Sequence, residues 1–242
     1  MAQFSLFEEG APAPPARPAG PLTPAEKAER LEQLRAVAVE CQRCGLAATR
    51  RHVVFGEGNP AAPLVLVGEG PGETEDATGR PFVGRAGKLL DEVLGEVGLT
   101  REHVYICNVL KCRAVVFAEG RARNRAPEAA EVEACRPWLE QQLAIVQPLV
   151  IVCLGAPAAN VIIHRNFRMT QERGQWFRHS PFAPWVMAAY HPAFILRMHG
   201  AAFEQGRALL VRDLTMARDR VIELRRQLRQ GGEPAAPRSL FG

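Results

Sequence analysis

Lysine is scarce in this chain: of its 30 basic side chains only Lys27, Lys88 and Lys111 are lysines, and the rest are arginines. No run of about 18 or more apolar residues occurs, so no membrane-spanning helix is expected. The N-terminus reaches Glu8 and Glu9 without a basic stretch leading into an apolar one, so a secretory signal is not expected and the cytoplasm is the expected location. No Gly-Lys-Ser/Thr phosphate loop is present, and no Gly-x-Gly-x-x-Gly run flows straight into a helix, which argues against the commonest nucleotide folds. The net charge of +4 is too modest to name a partner by itself. Arginine nevertheless suits two-pronged contact with phosphate.

What is present is enough apolar residue, 47% of 242, for one sizeable core. Residues 8–24 are rich in Pro, Ala and Gly, as is 231–237, and both read as flexible tails. The expected organisation is an N-terminal tail over 1–24, one catalytic-sized domain over 25–230 and a C-terminal tail over 231–242. Within the domain, helical and strand patterns alternate. Helices are expected at about 24–40, 86–97, 128–146, from about 156, and at 201–229; strands at Leu64–Val67, His103–Cys107, Leu149–Leu154 and Trp185–Ala189. Continuous apolar strands between helices predict an α/β fold, a three-layer α/β/α arrangement around a central, mainly parallel four-stranded sheet. Ligands of such sheets sit at the carboxyl ends of the strands. The informative loops are therefore 68–85, 108–127 and 190–197.

Four constellations fall in or near these loops. Gly68-Glu69-Gly70-Pro71-Gly72 follows a strand directly, and glycines there allow a backbone to approach a ligand closely. Asn108 leaves a strand end with an acceptor and a donor on one carboxamide. His191 stands at another strand end, in Tyr190-His191-Pro192-Ala193-Phe194-Ile195-Leu196-Arg197. Cys41 and Cys44 are two residues apart, with Cys112 and Cys135 downstream; four such thiolates could complete a zinc site or a 4Fe-4S cluster, and spacing does not choose between them. Cys107 and Cys153 lie inside apolar strands and read as buried core thiols.

Together these segments, from about Cys41 to Arg197, resemble family 4 uracil-DNA glycosylases. The strongest stretch runs from Val53-Val54-Phe55-Gly56-Glu57-Gly58-Asn59-Pro60 to Cys112. The resemblance implies a 4Fe-4S cluster on Cys41, Cys44, Cys112 and Cys135, with uracil-containing DNA as the partner. It implies that Gly70 presents its backbone to the base, that Phe82 stacks on it, that Asn108 reads it and that His191 is catalytic. Glu69 and Glu75 are candidates to orient water or balance sugar charge, with Glu73 a third. Leu196 is expected to fill the space a flipped base leaves, and Arg197 to meet phosphate.

Two departures bear on this reading. The segment between Cys112 and Cys135 is longer than the family's usual linker, and a related, covalently trapped group carries a reactive histidine in an insertion there. No histidine lies between Arg113 and Pro127, and Gly70 replaces that group's glutamine, so turnover is expected rather than trapping. The other alternative is a non-catalytic, cluster-bearing nucleic-acid-binding protein. Arg121, Arg123 and Arg125 in the longer segment are expected to follow phosphate. Gln3-Phe4-Ser5-Leu6-Phe7 resembles the clamp-binding peptides of bacterial repair proteins, which implies a sliding-clamp partner held through Gln3, Leu6 and Phe7. A monomer without membrane contact is expected.

Overall fold

The structure is a computed structural model that describes residues 20–178 and 180–230. In chain order its elements are α1 (Pro24–Val39), β1 (Glu57–Gly58), β2 (Leu64–Gly68), α2 (Glu73–Thr78), α3 (Arg85–Glu96), β3 (Tyr105–Asn108), β4 (Val115–Ala118) and β5 (Arg121–Asn124). They continue with α4 (Ala129–Val146), β6 (Val150–Leu154), α5 (Ala156–Ile162), α6 (Met169–Glu172), β7 (Trp185–Ala189), α7 (Pro192–Ile195) and α8 (Ala201–Arg229).

The central sheet has the order β1-β3-β2-β6-β7. Its four main strands are parallel, as expected, and the two-residue β1 adds an antiparallel edge that the sequence pattern did not announce. Side chains alternate between two buried clusters. Val65, Val67, Ile151, Cys153, Val186 and Ala188 face the layer containing α1, α4 and α5. Leu64, Leu66, Val150, Val152, Met187 and Ala189 face the layer containing α3, α7 and α8. The result is a three-layer α/β/α sandwich with both sheet faces covered, which is why its strands are apolar at every position rather than at alternate ones.

Local chemistry sets several boundaries. Thr23 caps α1 in a reciprocal box with Glu26, ahead of Pro24 at the first helical position. The strand expected from His103 begins two residues later, because Arg101–His103 closes a tight turn whose Thr100 N–H donates to His103 Nδ1. The longer segment after Cys112 forms an antiparallel hairpin, β4–β5. Its turn residues Glu119 and Gly120 both have positive φ, 52° and 73°, the mirror-image turn whose twist matches that of two paired strands.

From β2 the chain passes to β3 on one side, then crosses to β6 on the other. That reversal opens a crevice at the carboxyl ends of the strands. Among the described residues no helix is long and apolar enough to cross a membrane. Gln3, Leu6 and Phe7 lie outside the described residues.

Candidate active site

A cavity of about 780 Å³ opens at the crevice, lined by Glu69, Gly70, Phe82, Asn108, His191 and Arg197 among others. Three separate loops therefore deliver most of the expected site residues to one place. Leu196 is partly buried beside the apolar cluster under α8 and does not line the cavity.

The floor is a cradle of two side chains over backbone. A Cβ placed on Gly68 would lie 2.4 Å from Asn108 Oδ1 and 2.6 Å from Phe82 Cζ, so both side chains rest against a position that only a bare backbone can occupy. Asn108 is 1% exposed, and its Oδ1 has no hydrogen-bond partner among the described residues. A buried acceptor left unpaired costs about 1–3 kcal/mol and points to a ligand that supplies the missing donor. The Asn108 carbonyl accepts from the buried Lys111 ammonium at 2.6 Å, which anchors the strand end.

Phe82 sits at φ 52°, an uncommon conformation for a bulky residue. Backbone strain of this kind persists only where the surroundings enforce it. Here Arg101 donates to the carbonyls of Phe82 and Pro81, while Glu57 and Asp91 hold Arg101 in place. The following N–H groups of Val83 and Gly84 donate to Glu75 Oε1 at 2.9 and 2.7 Å. At Gly87 the approach is closer still: a Cβ there would stand 1.7 Å from the Phe82 carbonyl oxygen. The Phe82 and His191 rings then stack with centroids 5.4 Å apart.

His191 caps α7. Its Nδ1 accepts from Ala193 N at 3.0 Å, so the ring proton of the neutral form resides on Nε2. Burial pushes the imidazole pKa down to about 4, and the nearby Arg197 charge pushes the same way. At neutral pH the ring is therefore an uncharged N–H donor.

The glutamates differ sharply. Glu75 is buried, and its two oxygens are taken by Gly72, Val83 and Gly84 N–H groups, so it holds the glycine loop and the Phe82 turn together. Among the described residues no hydrogen bond holds the Glu69 carboxyl. Burial raises its pKa, with Arg197 opposing. Glu73 is exposed at the start of α2. Sequence reasoning missed Arg101 altogether and missed the organising role of Glu75; for Glu75 the signal was its position three residues after Gly72, the spacing of a helix-capping carboxylate.

The expected 4Fe-4S cluster on Cys41, Cys44, Cys112 and Cys135 requires correction. Among the described residues no group of three or more Cys, His, Asp or Glu side chains is placed to hold a metal ion. The four thiols line one small apolar hollow with Ala38, Leu46 and Trp138, but a shared hollow is less than a ligand set, which needs sulfurs aimed at one centre at bonding distance. All six cysteines are free. Burial raises the thiol pKa of Cys44, of Cys112 to about 11 and of Cys135 to about 12, and the Lys111 N–H donates to Cys135 Sγ at 3.2 Å. In this structure they act as packed thiols.

The expected phosphate arginines also divide. Arg125 is engaged by Glu131 and by the Val115 and Ala126 carbonyls, so it ties the hairpin to α4 rather than projecting outward. Arg123 pairs with Glu119 on an exposed surface, and Arg121 is exposed.

Residues 55–215 match the family model described as the uracil DNA glycosylase superfamily. A protein of Thermotoga maritima named type-4 uracil-DNA glycosylase is 45% identical over 162 residues, covering 65% of this chain and 79% of the relative. A protein of the same name from Archaeoglobus fulgidus is 44% identical over 168 residues, with the same two coverages. One from Sulfurisphaera tokodaii is 41% identical over 165 residues, covering 65% of this chain and 72% of its own.

Proposed function

This chain belongs to the uracil DNA glycosylase superfamily, and from that membership we propose that it takes uracil out of DNA into the strand-end cavity and hydrolyses its bond to deoxyribose, leaving an abasic site. A base inside a duplex presents no access to its glycosidic bond, so the nucleotide must be extruded first. The single observation that carries the reading is the unpaired, buried Asn108 Oδ1. Uracil N3–H is a donor for that oxygen, and uracil O4 accepts from the same carboxamide. Cytosine presents the reverse pattern and would leave buried groups facing their own kind.

Phe82 supplies the stacking face, and Gly70 offers backbone without a side chain in the way. Departure of uracil places negative charge on the ring oxygens and positive charge on the sugar. The neutral His191 Nε2–H, aimed by the Ala193 bond, donates toward O2 and stabilises that charge without adding a proton. Of the three glutamates, Glu69 is the one we assign to water or to the sugar cation, because its oxygens are not committed to backbone as those of Glu75 are. Arg197, exposed at the cavity mouth beside Phe194, meets the phosphate that flanks the flipped nucleotide. The proposal extends to tethering on a sliding clamp through Gln3, Leu6 and Phe7.

The test is release of free uracil, measured chromatographically, from a single-stranded oligonucleotide carrying one uracil. Appearance of stoichiometric uracil supports the proposal. A base that stays attached under excess enzyme, or a lasting protein–DNA adduct, contradicts it.

A further inference from the structure

The hairpin β4–β5 is not explained by the pocket chemistry. Its paired register, Val115 with Asn124 and Phe117 with Ala122, puts these four side chains on one face. Asn124 lines the cavity, close to the glycine loop at Gly72. Phe117 therefore stands on the same ribbon face as the cavity-lining Asn124, about 7 Å further along by strand rise. It is 66% exposed, and its neighbour Val116 is 48% exposed. Large apolar groups standing in solvent on a hairpin whose second strand is arginine-rich mark a contact surface rather than a core.

The element is also stiff. Arg113, itself buried, donates through Nε to Asn124 Oδ1 at 2.6 Å, and its Nη2 reaches the Ala122 carbonyl; Arg125 fastens the other strand to Val115 and to Glu131. A tight two-residue turn closes the tip. The outer face carries Val116, Ala118, Arg121 and Arg123, so cationic charge stands behind the aromatic one. An exposed aromatic ring on one face of the ribbon, with arginines on the other and a cavity for a single base beside it, suits unpaired nucleic acid: bases stack on the ring and the phosphates reach the arginines.

We propose that the hairpin is a single-strand platform on which Phe117 stacks against an unpaired nucleobase close to the extruded one. The inference rests on the uracil-excision reading for the identity of the extruded nucleotide, but not for its own test. The platform adds affinity without reading sequence, because every base has a π-face. It favours strands whose bases are already unstacked over intact duplex.

The experiment is fluorescence anisotropy of full-length protein on a uracil-free single strand and on the corresponding duplex, with wild type, Phe117→Ala and Phe117→Trp. The expected result is that Phe117→Ala weakens single-strand binding at least about fivefold, that Phe117→Trp restores it, and that duplex binding changes less. Thermal melting of each variant checks folding; because Phe117 is exposed, all three should melt together. Single-strand affinity within twofold across the three folded variants overturns the platform. If wild type binds single strands as described yet releases no uracil, the excision reading fails while the platform stands, so the two are separable.

Discussion

His191 allows the sharpest prediction, because its protonation state decides what it can do. Its Nδ1 is occupied by the Ala193 N–H, and burial with the Arg197 charge holds the pKa down to about 4. Against an ordinary value of about 6.5, that difference amounts to roughly 3 kcal/mol disfavouring the imidazolium. Above about pH 6.5 the ring is neutral in folded and unfolded chains alike, and it contributes nothing to pH dependence. As pH falls from about 6.5 toward 4, the unfolded chain takes a proton that the folded chain refuses, so stability is lost progressively. Below about 4 the loss is complete. The same numbers govern catalysis. Single-turnover uracil release should show no His191-dependent break between pH 5 and 8, and should fall as pH approaches about 4 and protonation breaks the Ala193 bond. Replacing the side chain in His191→Ala should lower the rate by at least about 10²-fold, the scale of one lost donor to a developing oxyanion. The assay is a rapid-quench series with enzyme in excess, accompanied by NMR titration of the ring. A break near 6.5 that disappears in His191→Ala would refute the neutral-donor argument, as would a rate that rises with protonation.

Asn108→Asp exchanges the carboxamide donor for an acceptor and should reduce the preference for uracil over cytosine by roughly tenfold to a hundredfold, the price of mismatched buried polar groups, measured as a ratio of single-turnover rates. Glu75→Ala orphans three backbone N–H groups and should destabilise the fold by roughly 3 kcal/mol, a fall in Tm of about 6–12 °C by calorimetry; an unchanged Tm would mean that those groups find water instead. Leu6→Ala/Phe7→Ala should abolish micromolar-range binding to the sliding clamp in a calorimetric titration while leaving excision from short oligonucleotides intact. Equal clamp binding by wild type and the double variant would dismiss the N-terminal peptide.

Much of this architecture is legible in the residues because burial on both sheet faces leaves an unambiguous mark. Val150–Leu154 and Trp185–Ala189 are apolar throughout, and α8 runs over the span its periodicity predicts. The hairpin escaped notice because its turn is Glu119-Gly120 rather than the more familiar Asn-Gly, and because the largely exposed Arg121-Ala122-Arg123-Asn124 carries no apolar stripe. β1 is only two residues long, too short for any strand pattern to reveal it. In the site, strand-end positions of Asn108 and His191 followed from sheet logic. The division of labour among the glutamates did not: it depends on which backbone N–H groups fold over Glu75, and those come from residues as far off as Gly84. Cysteine spacing illustrates the opposite limit, since Cys41, Cys44, Cys112 and Cys135 reach one hollow without forming a metal-holding group.

Excision of uracil and rejection of cytosine are the activities proposed for the cavity at the ends of β2, β3, β6 and β7. Its most direct measurement places uracil, cytosine or thymine at one position of otherwise identical end-labelled strands, incubates each with excess protein, and treats them with hot alkali. Strand scission is expected at the uracil position alone, with the Asn108→Asp variant narrowing the gap between uracil and cytosine. Intact strands for all three bases, or equal scission at uracil and cytosine by wild type, would contradict it.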